Sequence, residues 1–187
     1  TGEKLTPLIM VGDLGDPNAV GRKAGFYDVI NANPDLFNQP VEVATEWDAA
    51  TALANLEAAV TANPNVDFLF TSSDFLFPTI RSVLEPRGKW KKAGEEGHVI
   101  MGGLDGDATA CQLIKDGFVD ATGVQDLYFE ADSALKAILE ASEKGEAQPN
   151  QVIQDSGFAL TRANLAEREM DMWGCVLLSQ GFLEKKS

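Results

Sequence analysis

Acids, amides, a hydroxyl, an arginine and an indole recur just behind short apolar runs in this sequence. Asp13, Asp16, Asn18 and Arg22 follow the first run, Trp47 and Asp48 the second, Ser73 and Asp74 the third, Asp105 the fourth, and Gln125 and Asp126 the fifth. Together these residue types suit a neutral, polyhydroxylated molecule. A flat ring covers an apolar C–H face while guanidinium and carboxylate groups take paired hydroxyls. A plainer reading competes for the acids, since Asp, Asn and Ser are favoured helix N-caps, and Asp48 and Asp74 fit that role equally well. Capping does not account for Arg22. It falls in the first turns of a helix, where a cation opposes the macrodipole, so an acceptor is expected close to it. Trp47 directly follows a strand and is expected either to cover the core or to face a ligand.

Catalytic chemistry lacks its usual carriers. The single histidine, His98, precedes the apolar run Val99-Ile100-Met101 and is expected to be a solvated residue at a strand start. HExxH, GxSxG and GxxxxGK[ST] are all absent, and no other nucleophile or base stands out, although a pair of carboxylates is not excluded by this test. Cys111 and Cys175 form no CxxC, which argues against a metal knuckle or redox motif and leaves one disulfide open. Asp105, Asp107, Thr109 and Asp116 occupy positions one, three, five and twelve of an EF-hand-like loop. Ala110 stands where glycine is required and a strand precedes it, so no metal is expected. No motif calls for a cofactor.

The runs that must position the polar groups are residues 8–11, 41–44, 68–70, 99–101 and 121–124, short and apolar enough for strands buried on both faces of a parallel sheet. Helical stretches alternate with them. Residues 17–31 place Ala19, Phe26, Val29 and Ile30 at helical spacing and stop at Asn33-Pro34. Residues 48–62 set Leu53, Leu56 and Val60 on one stripe, between Asp48 as N-cap and Asn63-Pro64-Asn65 as stop. Further helices are predicted near 78–84, closed by Pro86-Arg87-Gly88, over 108–115, stopped at Gly117, and over 129–144. Residues 145–150 read as a turn or linker, Val152-Ile153 as a short sixth strand, and residues 164–172 fit a short helix, whereas 173–178 are apolar without clear period. This alternation predicts an α/β fold with a doubly wound parallel sheet, in which ligands bind beyond the carboxyl ends of the strands. That is the edge to which every polar group above is delivered.

The chain has 187 residues, 44% hydrophobic and 24% charged, within reach of one well-buried core at roughly 100–200 residues per domain. Fifteen Lys and Arg against 29 Asp and Glu leave a net charge of -14. Such a surface repels phosphate backbones and anionic headgroups, so neither nucleic acid nor a membrane surface is an expected partner. No apolar run reaches the ~18 residues of a membrane span, and residues 1–7 lack the apolar stretch of a signal peptide. Any export signal is therefore expected to lie outside this sequence or to have been removed.

Five motifs, taken in order, resemble those of the type I periplasmic sugar-binding proteins: Asp16-Pro17-Asn18-Ala19-Val20-Gly21-Arg22 with Gly25-Phe26, Glu46-Trp47-Asp48, Ser72-Ser73-Asp74, Gly103-Leu104-Asp105-Gly106, and Val124-Gln125-Asp126. The similarity extends from about Leu8 to Asn164, and the combination is specific although each motif alone is weak. It implies one Rossmann-like lobe of a two-lobed receptor that clamps a sugar or polyol and delivers it to an ABC transporter permease. The expected location is the periplasm or outside the cell, with a lipid anchor one arrangement for the full-length protein. Carried over by residue, Asp16, Asn18 and Arg22 would bind hydroxyls, Trp47 would stack on the sugar, and Ser73, Asp105 and Gln125 would complete the polar ring.

Two departures bear on the ligand. Ser73 stands where the family usually has Asn, and Phe75 to Pro78 bring aromatic bulk where small residues are usual, implying a pocket shaped for something other than plain glucose or ribose. The resemblance also divides the chain. Residues 1–122 would form the carboxyl-terminal lobe, 123–160 a crossover strand and helix packed on an amino-terminal lobe that this sequence lacks, and 161–187 a third crossover and tail. Without that lobe, the strand at 121–124 would lose its sheet neighbour and Leu135, Ile138 and Leu139 would face water, so the chain is expected to self-associate through these segments or to repack the helix. The rival reading is the effector-binding core of a LacI-type repressor, which shares the fold. Trp47-Asp48, the acidic balance and the residues beyond Asn164 favour the receptor.

Overall fold

The computed structural model of the protein describes residues 4–145 and 152–183. Its strands are β1 (Pro7–Val11), β2 (Val41–Ala44), β3 (Phe68–Thr71), β4 (Ile100–Asp105), β5 (Ala121–Val124) and β6 (Phe158–Thr161). They form a single sheet in the order β2-β1-β3-β4-β5-β6. The first five are parallel and β6 runs antiparallel to β5. All five residues of β1 are buried, as befits the apolar run Pro7-Leu-Ile-Met-Val11 placed between two neighbours and covered on both faces.

The helices are α1 (Pro17–Ala32), α2 (Ala49–Ala62), α3 (Phe77–Leu84), α4 (Ala108–Asp116), α5 (Leu127–Lys144), α6 (Leu165–Arg168) and α7 (Trp173–Ser179). Four begin on an aspartate that accepts from the first turn: Asp16 from Asn18 N, Asp48 from Thr51 N, Asp107 from Ala110 N and Asp126 from Phe129 N. On one side of the sheet, Leu8, Met10, Val43, Leu69 and Met101 pack against Leu56, Val60, Phe77, Ile80 and Ile114 of α2, α3 and α4. On the other side Phe26 of α1 stacks on Phe70, with ring centroids 4.9 Å apart. The expected stripes shift slightly. Ala19 and Ile30 anchor α1 while Val29 is exposed, and Ala52, Leu56 and Val60 anchor α2 while Leu53 stands at its margin.

The carboxyl-terminal part differs most from the sequence expectation. Val152 and Ile153 are not a strand: both are exposed and unpaired in any ladder, and the sixth strand is Phe158–Thr161. That strand lies along β5, so β5 is not the unpaired edge expected; Ala121 pairs with Thr161 and Val124 with Phe158. The aperiodic apolar stretch becomes α7, which packs on α4 and is tied to it by the Cys111–Cys175 disulfide. His98 is not solvated either, because its side chain is only 10% exposed and its ring nitrogens face Asp120 Oδ2 and the Lys91 carbonyl at 2.9 and 2.8 Å. Of the proposed linker only Gly145 is described, as the left-handed residue that ends α5; residues 146–150 lie outside the described part. No residue of α5 is buried, and Leu135, Ile138 and Leu139 are 62%, 65% and 62% exposed. Among the described residues no helix is long and apolar enough to cross a membrane.

Candidate ligand-binding site

From β1 the strand order steps to β2 on one side and then to β3 on the other, and this switch opens a crevice at the carboxyl ends of the parallel strands β1 and β3. Asp16, Asn18, Arg22, Trp47, Ser73, Phe75 and Asp105 line a cleft of about 290 Å³ there. Six of the seven residues predicted to bind ligand are thus brought together, and the seventh, Gln125, joins them through Arg22. Sequence reasoning passed over Phe75 as a lining residue and noted only its bulk.

Arg22 is the hub. Its Nη1 donates to the Ser72 carbonyl at 2.7 Å, and its Nη2 reaches Asp105 Oδ1 at 2.6 Å and Gln125 Oε1 at 3.1 Å. The acceptor expected beside an arginine at a helix start is therefore three acceptors, from the ends of β3, β4 and β5. Both charges stay partly open, with 19% and 24% of their side-chain surfaces exposed, so the pair remains within reach of an incoming hydroxyl. Ser73 Oγ donates to the other Asp105 oxygen, leaving that carboxylate held at both ends.

Trp47 forms the apolar wall. Its Nε1 donates to Asp16 Oδ2 at 3.0 Å, and the Arg22 guanidinium lies 5.9 Å from its ring centroid. Glu46 and Trp47 both adopt left-handed backbone, with φ of 51° and 54°, a conformation that costs non-glycine residues energy and is often kept at functional positions. Gly12 makes room for the indole, because a Cβ there would overlap the ring. Asp105 is strained as well, at φ 105°.

Three further residues hold the site from below. Asp74 is fully buried and is neither a cap nor a ligand group; its Oδ2 accepts from Gly106 N at 2.7 Å, and Thr122 Oγ1 lies 2.7 Å from the same oxygen. Burial pushes its carboxyl well above the usual range, against the lowering effect of Thr122. Gly103 is required beside it, since a Cβ would collide with Asp74 Oδ1. Trp173 of α7 donates from Nε1 to the Asp105 carbonyl at 2.9 Å. Nothing in the spacing of Thr122 or Trp173 announces these contacts, since both come from segments far away in the chain. Of the remaining candidates, Asp48 and Asp126 act as caps, and Asp13 folds its own turn by accepting from Gly15 N. Asp105, Asp107, Thr109 and Asp116 do not converge, and among the described residues no group of three or more His, Cys, Asp or Glu could hold a metal.

The periplasmic binding protein domain profile matches residues 1–147. The chain belongs to that family. Its members are binding proteins. A D-apiose import binding protein from Actinobacillus succinogenes is 24% identical over 143 residues, 76% of this chain and 43% of its own length. The arabinose ABC transporter binding protein of a Shewanella species, bound to L-arabinofuranose, superposes with a TM-score of 0.75 at 20% identity, over 98% of this chain and 58% of that one. An ABC transporter solute-binding protein from Bacillus halodurans, with bound myo-inositol, gives 0.74 at 22% identity, over 89% of this chain and 55% of that one. At these identities the structural likeness is one of fold. The chain spans about half the length of the relatives it matches.

Proposed function

We propose that this periplasmic binding protein domain supplies one half of the ligand shell of an exported solute receptor, which captures a sugar or polyol for an ABC transporter permease. The observation that carries this reading is the Arg22–Asp105 pair, tied to Gln125, Ser72 and Ser73 and flanked by Trp47 at the sheet's switch point. Carboxylate oxygens of Asp16 and Asp105 accept from ligand hydroxyls, Asn18 and the free N–H groups of Arg22 donate to them, and the indole covers a C–H face. Charge-assisted bonds of this kind contribute about 1.5–3 kcal/mol each once water is excluded. The import and transport functions of the relatives support a receptor over a repressor core, and support a location in the periplasm or outside the cell.

In the same reading, residues 1–122 are the carboxyl-terminal lobe, 123–160 lead out of it through α5 and back through β6, and 161–187 close it. The exposed apolar stripe of α5 then belongs to a surface that a second lobe would cover, and in this chain alone it drives self-association. A thermal-shift panel of monosaccharides, polyols, amino acids and nucleosides tests the ligand class. Stabilisation by members of the first two groups is expected; hits confined to amino acids or nucleosides would overturn the reading.

A further inference from the structure

Phe75 sits in the 3-10 turn Asp74–Leu76, between two side chains that are wholly buried, and is itself 42% exposed. Its neighbours fix that direction. Asp74 is bonded to Gly106 N and Thr122 Oγ1, while Leu76 and Phe77 lie in the core, so the turn cannot roll to bury the ring. The ring lines the same cleft as Arg22, Trp47 and Asp105. An isolated exposed aromatic on a surface needs no explanation, but one held rigidly on the wall of a polar cleft does.

Close to Phe75 along the chain, the Ser73 and Asp74 side chains are already engaged, and Ser72 Oγ is buried away from the cleft. Ser73 Oγ donates to Asp105, the Ser73 carbonyl accepts from Thr71 Oγ1 at 3.0 Å, and the Asp74 carboxyl is sealed beneath the turn. A ligand hydroxyl pressed against this ring would lose water and find none of these neighbouring side chains free, whereas a C–H or methyl edge would gain apolar contact.

We propose that Phe75 is a specificity-determining residue, selecting among sugars and polyols those whose edge facing the ring carries hydrogen or methyl in place of a hydroxyl. This rests on the sugar or polyol reading of the site and narrows it. The remaining edges of such a ligand keep their hydroxyls for Asp16, Arg22 and Asp105. Its class is a deoxy sugar, or a sugar whose stereochemistry leaves one edge bare.

The test is calorimetric titration of the parent chain, Phe75→Ala, Phe75→Leu and Trp47→Ala with D-galactose, D-glucose and L-arabinose, each beside its singly deoxygenated derivatives. For a sugar that binds, one deoxygenation is expected to be tolerated or to improve affinity, and the others to weaken it about tenfold or more. In Phe75→Ala the favoured derivative loses its advantage, and Phe75→Leu, still apolar, keeps most of it. An unchanged ranking in Phe75→Ala would overturn the proposal, as would equal weakening of every sugar, which would give the ring a role in closure and not in choice. Binding that needs Trp47 but penalises every deoxygenation alike sinks the Phe75 assignment alone. Absence of binding by all the sugars and derivatives overturns the Phe75 assignment, while the sugar or polyol reading is decided separately by the thermal-shift panel. Thermal unfolding of each variant confirms that the exposed position leaves the fold intact.

Discussion

Arg22 and Asp74 show how differently two charged residues can serve one cleft. Arg22 was legible because a cation at a helix start demands an acceptor, and Asp105 supplies it at 2.6 Å. Asp74 was not, because its N-cap appearance concealed a buried carboxyl that fastens the Gly106 turn to β5. Its burial favours the protonated form in the fold, so the folded state holds a proton that the unfolded chain releases near pH 4. The resulting stability is fully present below about pH 4 and is lost as pH rises through the raised folded value. Asp74→Asn, which keeps an acceptor for Gly106, is expected to flatten this decline in denaturant titrations; parallel curves for parent and variant would contradict the account. Gly12 offers a second residue-scale prediction. Gly12→Ala forces the Trp47 ring from its place, so sugar binding should weaken about tenfold or more while the sheet, and hence far-UV circular dichroism, stays unchanged.

At the scale of elements, the five parallel strands and their helices were readable from apolar runs alternating with amphipathic stretches, because local pattern and burial agree there. Beyond α5 less was: the short helix near 164–172 was legible, but β6 and α7 were not. Phe158–Thr161 pairs antiparallel with β5, and α7 is held by a partner 64 residues away, information that no local period carries. The Cys111–Cys175 disulfide tethers α7 to α4, and α7 in turn bonds the Asp105 carbonyl through Trp173. Closing a loop of that length is worth about 4 kcal/mol in the chain-entropy account. Reduction is expected to lower stability by roughly 2–4 kcal/mol and to weaken sugar binding through the loosened Asp105. Equal denaturation midpoints with and without reductant would show that α7 docks by packing alone.

For the whole molecule, the exposed face of α5 is expected to govern assembly. Leu135, Ile138 and Leu139 are more than half exposed, and each forgoes part of the ~1.5–3 kcal/mol that full burial contributes. Light scattering should therefore report association that rises with concentration and disappears in Ile138→Glu; a monomer at every concentration would remove α5 as a contact surface. The cleft itself is read most directly from the indole N–H signals of Trp47, Trp90 and Trp173 in a sugar titration followed by nuclear magnetic resonance. Trp47 lines the cleft and Trp173 touches Asp105 from behind, while Trp90 lies stacked on Phe118 elsewhere. A bound sugar or polyol is predicted to move the Trp47 signal strongly and Trp173 slightly, to leave Trp90 still, and to need about tenfold or more ligand in Arg22→Ala, where acceptors are left unpaired. A saturable response confined to Trp90, or one unchanged in Arg22→Ala, would contradict the assignment of this cleft as the sugar site.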